Sequence, residues 1–357
     1  MTQKATQGSV TVRKQRVRRD KTGVKLAVFA MLAVLVVLVA VFAPALCPYD
    51  PYAQNLSEAL QPPNSDHWAG TDRYGRDLFS RIIMGSQSSI FSTLALVAII
   101  AVVGTVIGVI CGWKTGKLDV VLMRTSDVFL AFPGLVFALA IAGVLGGGMI
   151  NAVIALAAIS WPKYARIARG LTLAQKNEPY LAAARLAGCT TGQLVFRHIL
   201  PNIAGPILVT AMLDIGTMMM ELAGLSFLGL GAQPPVAEWG SMMSDNRSLL
   251  QTAPWTIIAP GIAIFIAVMV FNLLGDTIRD FMDPAHRNTA PGGQGWLRRL
   301  KQRNCSTDVS SAHQETMSPG TDETSPTGQE TASLVTSTRE KKRVFVGMKN
   351  RLKEEES

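Results

Sequence analysis

Charge is scarce in this chain: Asp, Glu, Lys and Arg make up 17% of its 357 residues, against 48% for the apolar types. Soluble domains carry roughly a quarter charged residues, so the balance excludes an ordinary soluble enzyme and points to a protein that crosses a membrane several times. Acid is the scarcer sign, 25 residues against 34 Lys and Arg, for a net charge of +9. Cysteine is rarer still. Cys47, Cys111, Cys189 and Cys305 stand apart, with neither metal-ligand spacing nor a disulfide framework. A phosphate-cradling glycine loop is missing: its nearest approach, Cys111 to Leu118, lacks the first glycine and the final Ser or Thr that would hold phosphate and Mg²⁺. The chain therefore does not power itself with ATP. No nucleophile–base pair or metal cluster can be placed, which argues against a membrane-anchored enzyme and against a cofactor.

Long apolar runs are what the sequence has instead. Six of them, 24–46, 90–113, 127–147, 150–168, 203–230 and 256–275, reach the length of about 20 residues that crosses about 30 Å of hydrocarbon. The first is longer than the apolar part of a signal peptide, about 7–15 residues, and Leu46 is not a small cleavage-site residue, so it reads as a retained span. The expected fold class is all-α and polytopic, with six spans. The chain divides into a basic segment 1–23, a first span 24–46, an outer loop 47–88, a core 89–284 and a tail 285–357.

An even number of spans puts both termini on one side, and the basic residues choose it. Arg13, Lys14, Arg16, Arg18, Arg19 and Lys21 precede the first span and Lys25 stands at its start, Lys114 and Lys117 follow the second, and Lys163, Arg166, Arg169, Lys176, Arg185 and Arg197 surround the end of the fourth. All become cytoplasmic if the N-terminus is inside. The positive charge is thus a topology signal, and no nucleic-acid partner is implied. The tail is rich in Ser, Thr, Glu, Gly and Pro over 304–338 and too poor in large apolar residues to form a core, so it reads as disordered.

Within the spans, Gly104, Gly108 and Gly112 repeat every fourth residue and clear one flank for another helix backbone. Pro133 and Pro162 are expected to bend the third and fourth spans, and Gly146-Gly147-Gly148 marks an abrupt turn. Asp214 lies near the middle of the fifth span, with Glu221 seven residues on and nearly on the same face. A carboxylate in hydrocarbon costs on the order of a few kcal/mol, so both must face the bundle interior, water or a partner group. Two roles fit: contact with cargo in a translocation path, or a hydrogen-bonded role in the bundle or at a subunit interface. Met218, beside them, is either adaptable packing or a soft sulfur on such a path.

Between the fourth and fifth runs lies a polar, helix-prone insert, 178–201. Asn177 is placed to cap a short helix that begins at Glu178-Pro179 and offers Tyr180, Ala183, Ala184 and Ala187 as one small face. Gly188 suits a left-handed helix end. Thr190 and Gln193 form a capping box that starts a second helix running to a stop at Leu200-Pro201. The predicted object is a compact knob of two short helices. In the outer loop, Asp77-Leu-Phe-Ser-Arg-Ile-Ile reads as an interfacial amphipathic helix capped by Asp77. Arg124 and Asp127, three apart, are spaced to pair on one helix.

The frame Ala183-Ala184, three residues, Gly188, nine residues, His198-Ile199-Leu200-Pro201 resembles the EAA loop of bacterial ABC-importer permeases, with Ala182 standing where the motif's glutamate is usual. Gly70-Thr71-Asp72-Arg73-Tyr74-Gly75-Arg76-Asp77, Leu225-Ser226-Phe227-Leu228-Gly229-Leu230-Gly231, Glu238-Trp239-Gly240, Ala253-Pro254-Trp255 and Phe271-Asn272-Leu273-Leu274-Gly275-Asp276 are similar, in order, to the C-type permease subunits of dipeptide, oligopeptide and nickel importers. That resemblance implies a type I ABC-importer permease fold in a bacterial inner membrane. It also implies a second homologous permease, two cytoplasmic ABC ATPases, an extracytoplasmic solute-binding protein and surrounding membrane lipid as partners. Tyr180, Ala182, Ala183, Ala184, Arg185, Gly188, His198, Leu200 and Pro201 become the ATPase-coupling loop, and Asp214, Met218 and Glu221 candidates for the path. The outer loop and Gln233–Trp255 become the vestibule for the binding protein. Cargo is a peptide or a nickel complex, with a lean toward nickel from Leu213–Met219 and Ala237–Gly240. The rival reading is an ion- or proton-coupled secondary transporter that uses Asp214 and Glu221 as relay acids.

Overall fold

The computed structural model of the chain describes residues 21–282, and every regular element among them is a helix. Most of the basic N-terminal segment, the whole tail and Cys305 lie outside the described residues, and so do both termini. Helix α1 (Lys21–Val41) ends at Phe42, and a single turn, α2 (Ala43–Leu46), follows with Pro44 in its first turn. The run expected to be one span therefore ends in a break.

Helix α3 (Leu78–Lys114) has 37 residues and, at 1.5 Å per residue, is about 55 Å long. Asp77 caps it as expected, accepting from Ser80 N at 2.7 Å. The separate interfacial helix is not found, because the segment after Asp77 runs without interruption into the second span. Nothing there stops it: no proline intervenes, Gly85 is packed beside the Trp239 ring, and the Ser86 hydroxyl bonds Ile83 O at 2.6 Å.

The third span is also corrected. Helices α4 (Lys117–Ala131) and α5 (Gly134–Val144) meet at 96° around Phe132-Pro133. Proline disfavours the helical conformation in the residue before it, and Phe132 is extended at φ −95°, ψ 149°. The three glycines at 146–148 then turn the chain into α6 (Met149–Lys176), which carries Pro162 inside it, buried.

After α6 come α7 (Pro179–Leu186), the one-turn α8 (Thr191–Gln193), a wide π-helical turn Leu194–Ile199, and α9 (Leu200–Phe227). The predicted stop at Pro201 is absent, since Thr191–Phe227 is helical throughout. Proline lacks an N–H and crowds the carbonyl four residues back, and the widened turn just before it relieves both demands. Helices α10 (Trp239–Asp245) and α11 (Trp255–Met282) complete the described chain.

The most extensive packing joins α3 to α6, followed by α9 to α11, with α1 laid against α11. The glycine stripe makes the first of these contacts. A methyl group built on Gly104 would stand 2.5 Å from Tyr164 Cβ, and one on Gly108 would stand 2.3 Å from Ala165 O. Four helical stretches, from α1, α3, α8–α9 and α11, are long and apolar enough to cross a membrane, and a fifth if the bent pair α4–α5 is one span. Helix α6 is long enough, but Lys163, Arg166 and Arg169 interrupt its apolar character.

Candidate functional site

The insert folds as two helices around Gly188. Its φ of +86° closes α7: Cys189 N donates to Ala184 O at 3.1 Å and Gly188 N to Arg185 O at 3.0 Å, the paired bonds of a left-handed helix end. The capping box forms in both directions, Gln193 N to Thr190 Oγ1 and Thr190 N to Gln193 Oε1 at 2.8 Å. Asn177 does not cap α7. It ends α6, and Glu178 takes the cap position without a side-chain bond, so that Pro179 supplies the helical start.

The base of this knob is tied to three helices. Arg185 lies over the Trp113 ring of α3, 5.2 Å from its centre, and Lys176 of α6 donates to Trp113 O at 2.7 Å. The Tyr180 hydroxyl donates to Gln175 Oε1 at 2.5 Å and accepts from Asn202 Nδ2 at 3.0 Å, with the His198 ring centred 6.3 Å away. Leu181, Leu194 and Ile199 are fully or almost fully buried beneath. Ala182 and Ala183 are exposed, Ala184, His198 and Leu200 half-buried, and Pro201 exposed. The outer rim carries two large apolar side chains in the open, Leu186 at 92% and Phe196 at 73% exposure, flanked by exposed Arg185 and Arg197. Trp113, Gln175 and Asn202 were not among the residues expected here. They lie outside the loop's own frame, and only the return of α3 and α9 to its base brings them in.

On α9 the two acids part company. Asp214 is buried with both oxygens engaged, Oδ1 by Lys163 Nζ at 2.5 Å and Oδ2 by the Tyr164 hydroxyl at 3.0 Å. Met218 is buried in the core. Glu221 is half-buried and has no hydrogen-bond or ion-pair partner among the described residues. In the sequence Lys163 marks topology alone. A partner 51 residues away leaves no local signal. The expected pair of Arg124 with Asp127 is replaced by Arg166 with Asp127, because α6 passes close to α4, and Arg169 likewise forks onto Asp119 at 2.6 and 2.7 Å.

The motifs at the other end of the bundle brace one another. Asp72 accepts from Arg76 Nε at 2.6 Å, with Arg81 Nε 3.8 Å away, and Trp255 Nε1 donates to Thr71 O at 3.4 Å. Glu238 is almost wholly buried and accepts from Gly240 N, Ser241 N and Ser89 Oγ at 3.0, 2.7 and 3.1 Å. Burial pushes its carboxyl above the ordinary carboxylate range, and those donors offset this only in part. Trp239 Nε1 donates to Ile82 O at 2.9 Å, which locks the Glu238-Trp239-Gly240 motif to α3.

Comparison with known proteins follows the same regions. The family described as "Binding-protein-dependent transport system inner membrane component" matches residues 104–288, and "N-terminal TM domain of oligopeptide transport permease C" matches residues 16–63. The dipeptide transport system permease protein DppC of Alkalihalophilus pseudofirmus is 41% identical over 261 residues, 73% of this chain and 86% of the relative. The probable D,D-dipeptide transport system permease protein DdpC of Escherichia coli is 42% identical, with 71% and 86% covered. The nickel transport system permease protein NikC of Escherichia coli is 40% identical, with 71% and 92% covered.

Proposed function

The chain belongs to the family of binding-protein-dependent transport system inner-membrane components, and from that premise we propose that it is one of two permease subunits of an ATP-driven importer for peptides or nickel complexes. In this reading it has six spans with both ends cytoplasmic, forms the translocation path with a second, homologous permease, and takes its movement from two cytoplasmic ATPases. An extracytoplasmic binding protein delivers the cargo to the outer face. No step of ATP hydrolysis falls to this chain.

The observation that carries the reading is the knob at 178–201. It has a stiff, capped interior, it is tied to α3, α6 and α9, and it offers bare Leu186 and Phe196 at its rim. Displacing such a knob moves the helices beneath it, which is how closure of the ATPases would become a change of access in the membrane. The relay-acid alternative leaves the knob without a role, and of its two acids Asp214 has both oxygens occupied.

The test is uptake into proteoliposomes that contain the full complex. Import of dipeptide or nickel should need ATP and the binding protein, and should survive a proton uncoupler while ATP is maintained. Leu186→Asp combined with Phe196→Asp should abolish uptake and binding-protein-stimulated hydrolysis while the two permeases still copurify. Uptake that follows a proton gradient without ATP would overturn the proposal.

A further inference from the structure

Along α9, Thr210, Asp214, Thr217 and Glu221 recur at spacings of four, three and four residues. At about 100° per residue they share an arc of about 60°. On a helix otherwise apolar enough to cross a membrane, this is a hydrophilic stripe, with Thr217 exposed and Thr210 and Glu221 half-buried. From α6 the Lys163 side chain meets it, 52% exposed even while it holds Asp214. Such a surface is costly against hydrocarbon, so the stripe faces water, a polar solute or a partner subunit, and its mixed charge fits the second of these.

The charges along it are ordered. Lys163 and Asp214 neutralise one another, but Lys163 spends one of its three N–H donors on Asp214 Oδ1, and its exposed head keeps donors free. Glu221 is seven residues further along, about 10 Å on at 1.5 Å per residue, and has no hydrogen-bond or ion-pair partner among the described residues. A donor site at the level of Asp214 and an acceptor site two helical turns further along α9 match a molecule that is anionic at one end and cationic at the other. An extended chain of two or three residues covers about 7–11 Å.

We propose that Lys163 and Glu221 are the two contact points for a zwitterionic solute such as a short peptide with free ends, its carboxylate on Lys163 and its ammonium on Glu221. Asp214 is then a positioning residue that orients Lys163 and does not touch the solute. This rests on the permease reading above and adds the cargo's charge pattern to it. A nickel complex with one sign of charge would engage only one of the two points.

The experiment compares ATP-driven uptake of trialanine, trialanine amide and N-acetyl-trialanine by the full complex in proteoliposomes. Glu221→Gln, which keeps shape and breaks no existing bond, should lower trialanine uptake roughly tenfold, the worth of one charge-assisted hydrogen bond, and leave the N-acetyl peptide's rate unchanged. The double variant Lys163→Gln, Asp214→Asn leaves no lone buried carboxylate, and should lower trialanine uptake while sparing the amide. Lys163→Arg should retain uptake. Equal losses for all three peptides, or no loss, would overturn the proposal by making the charges structural. Wild-type uptake of radioactive nickel but of no peptide would overturn it while leaving the permease reading intact, and ATP-independent uptake would remove both.

Discussion

Gly188 stands at φ +86° in open space: a Cβ added there meets nothing within 4 Å, so only backbone handedness resists substitution. Val should cost about 1–2 kcal/mol or straighten the bend, whereas Asn, which tolerates the left-handed region, should be nearly silent. In the importer proposed above, the expected outcome for Gly188→Val is intact pairing with the second permease and loss of binding-protein-stimulated ATP hydrolysis, with Gly188→Asn close to wild type. Glu238 makes a pH prediction. Its carboxyl is raised by burial, so the folded protein holds the proton more tightly than the unfolded chain. Stability is then greatest below the ordinary carboxylate range and falls as pH climbs from there toward the raised folded value. Melting temperature followed by tryptophan fluorescence from about pH 4 to about pH 7 should show that decline, and Glu238→Gln should flatten it.

At the scale of elements, the seam between α3 and α6 depends on absent side chains. A methyl at Gly108 would sit 2.3 Å from Ala165 O and 2.7 Å from Ala168 Cβ, so Gly108→Ala should destabilise by about 1–3 kcal/mol through forced separation of the helices. Gly170 on α6 has open space where its Cβ would be, and there alanine should stabilise by up to about 1 kcal/mol through helix propensity alone. Opposite shifts in the thermal midpoint of the purified protein would verify the pair. The same seam explains the knob's footing, because Trp113 at the end of α3 receives both Arg185 and Lys176. Trp113→Ala should leave the bundle folded but loosen the knob, read as faster proteolysis near Arg185.

For the whole molecule, the issue is which face of the membrane each end of the bundle meets. Trp68, 68% exposed, sits in the loop between α2 and α3, and Leu186, 92% exposed, sits at the rim of the knob. In a background with the native cysteines replaced, Trp68→Cys should react with an impermeant thiol reagent in cells whose outer barrier alone is open. Leu186→Cys should react only after the inner membrane is permeabilised. Equal labelling of both without permeabilisation would invalidate the topology drawn from the basic residues.

Local physics made much of this protein legible in its sequence. The cap at Asp77, the capping box of Thr190 and Gln193, the left-handed Gly188 and the glycine stripe all depend on neighbours within a few residues or on side-chain volume, and each stands in the structure as expected. Helix boundaries at prolines were less legible. Pro133 breaks its span by 96°, while Pro201 is absorbed by a widened turn. Charge partners were not legible at all. Asp214 finds Lys163, Asp127 finds Arg166 and Asp119 finds Arg169 across 51, 39 and 50 residues of sequence. The sequence by itself determined that charges placed along apolar helices must meet partners or water. Only the tertiary structure decided which, because packing of the helices selects which groups meet, and among the described residues it left Glu221 without one.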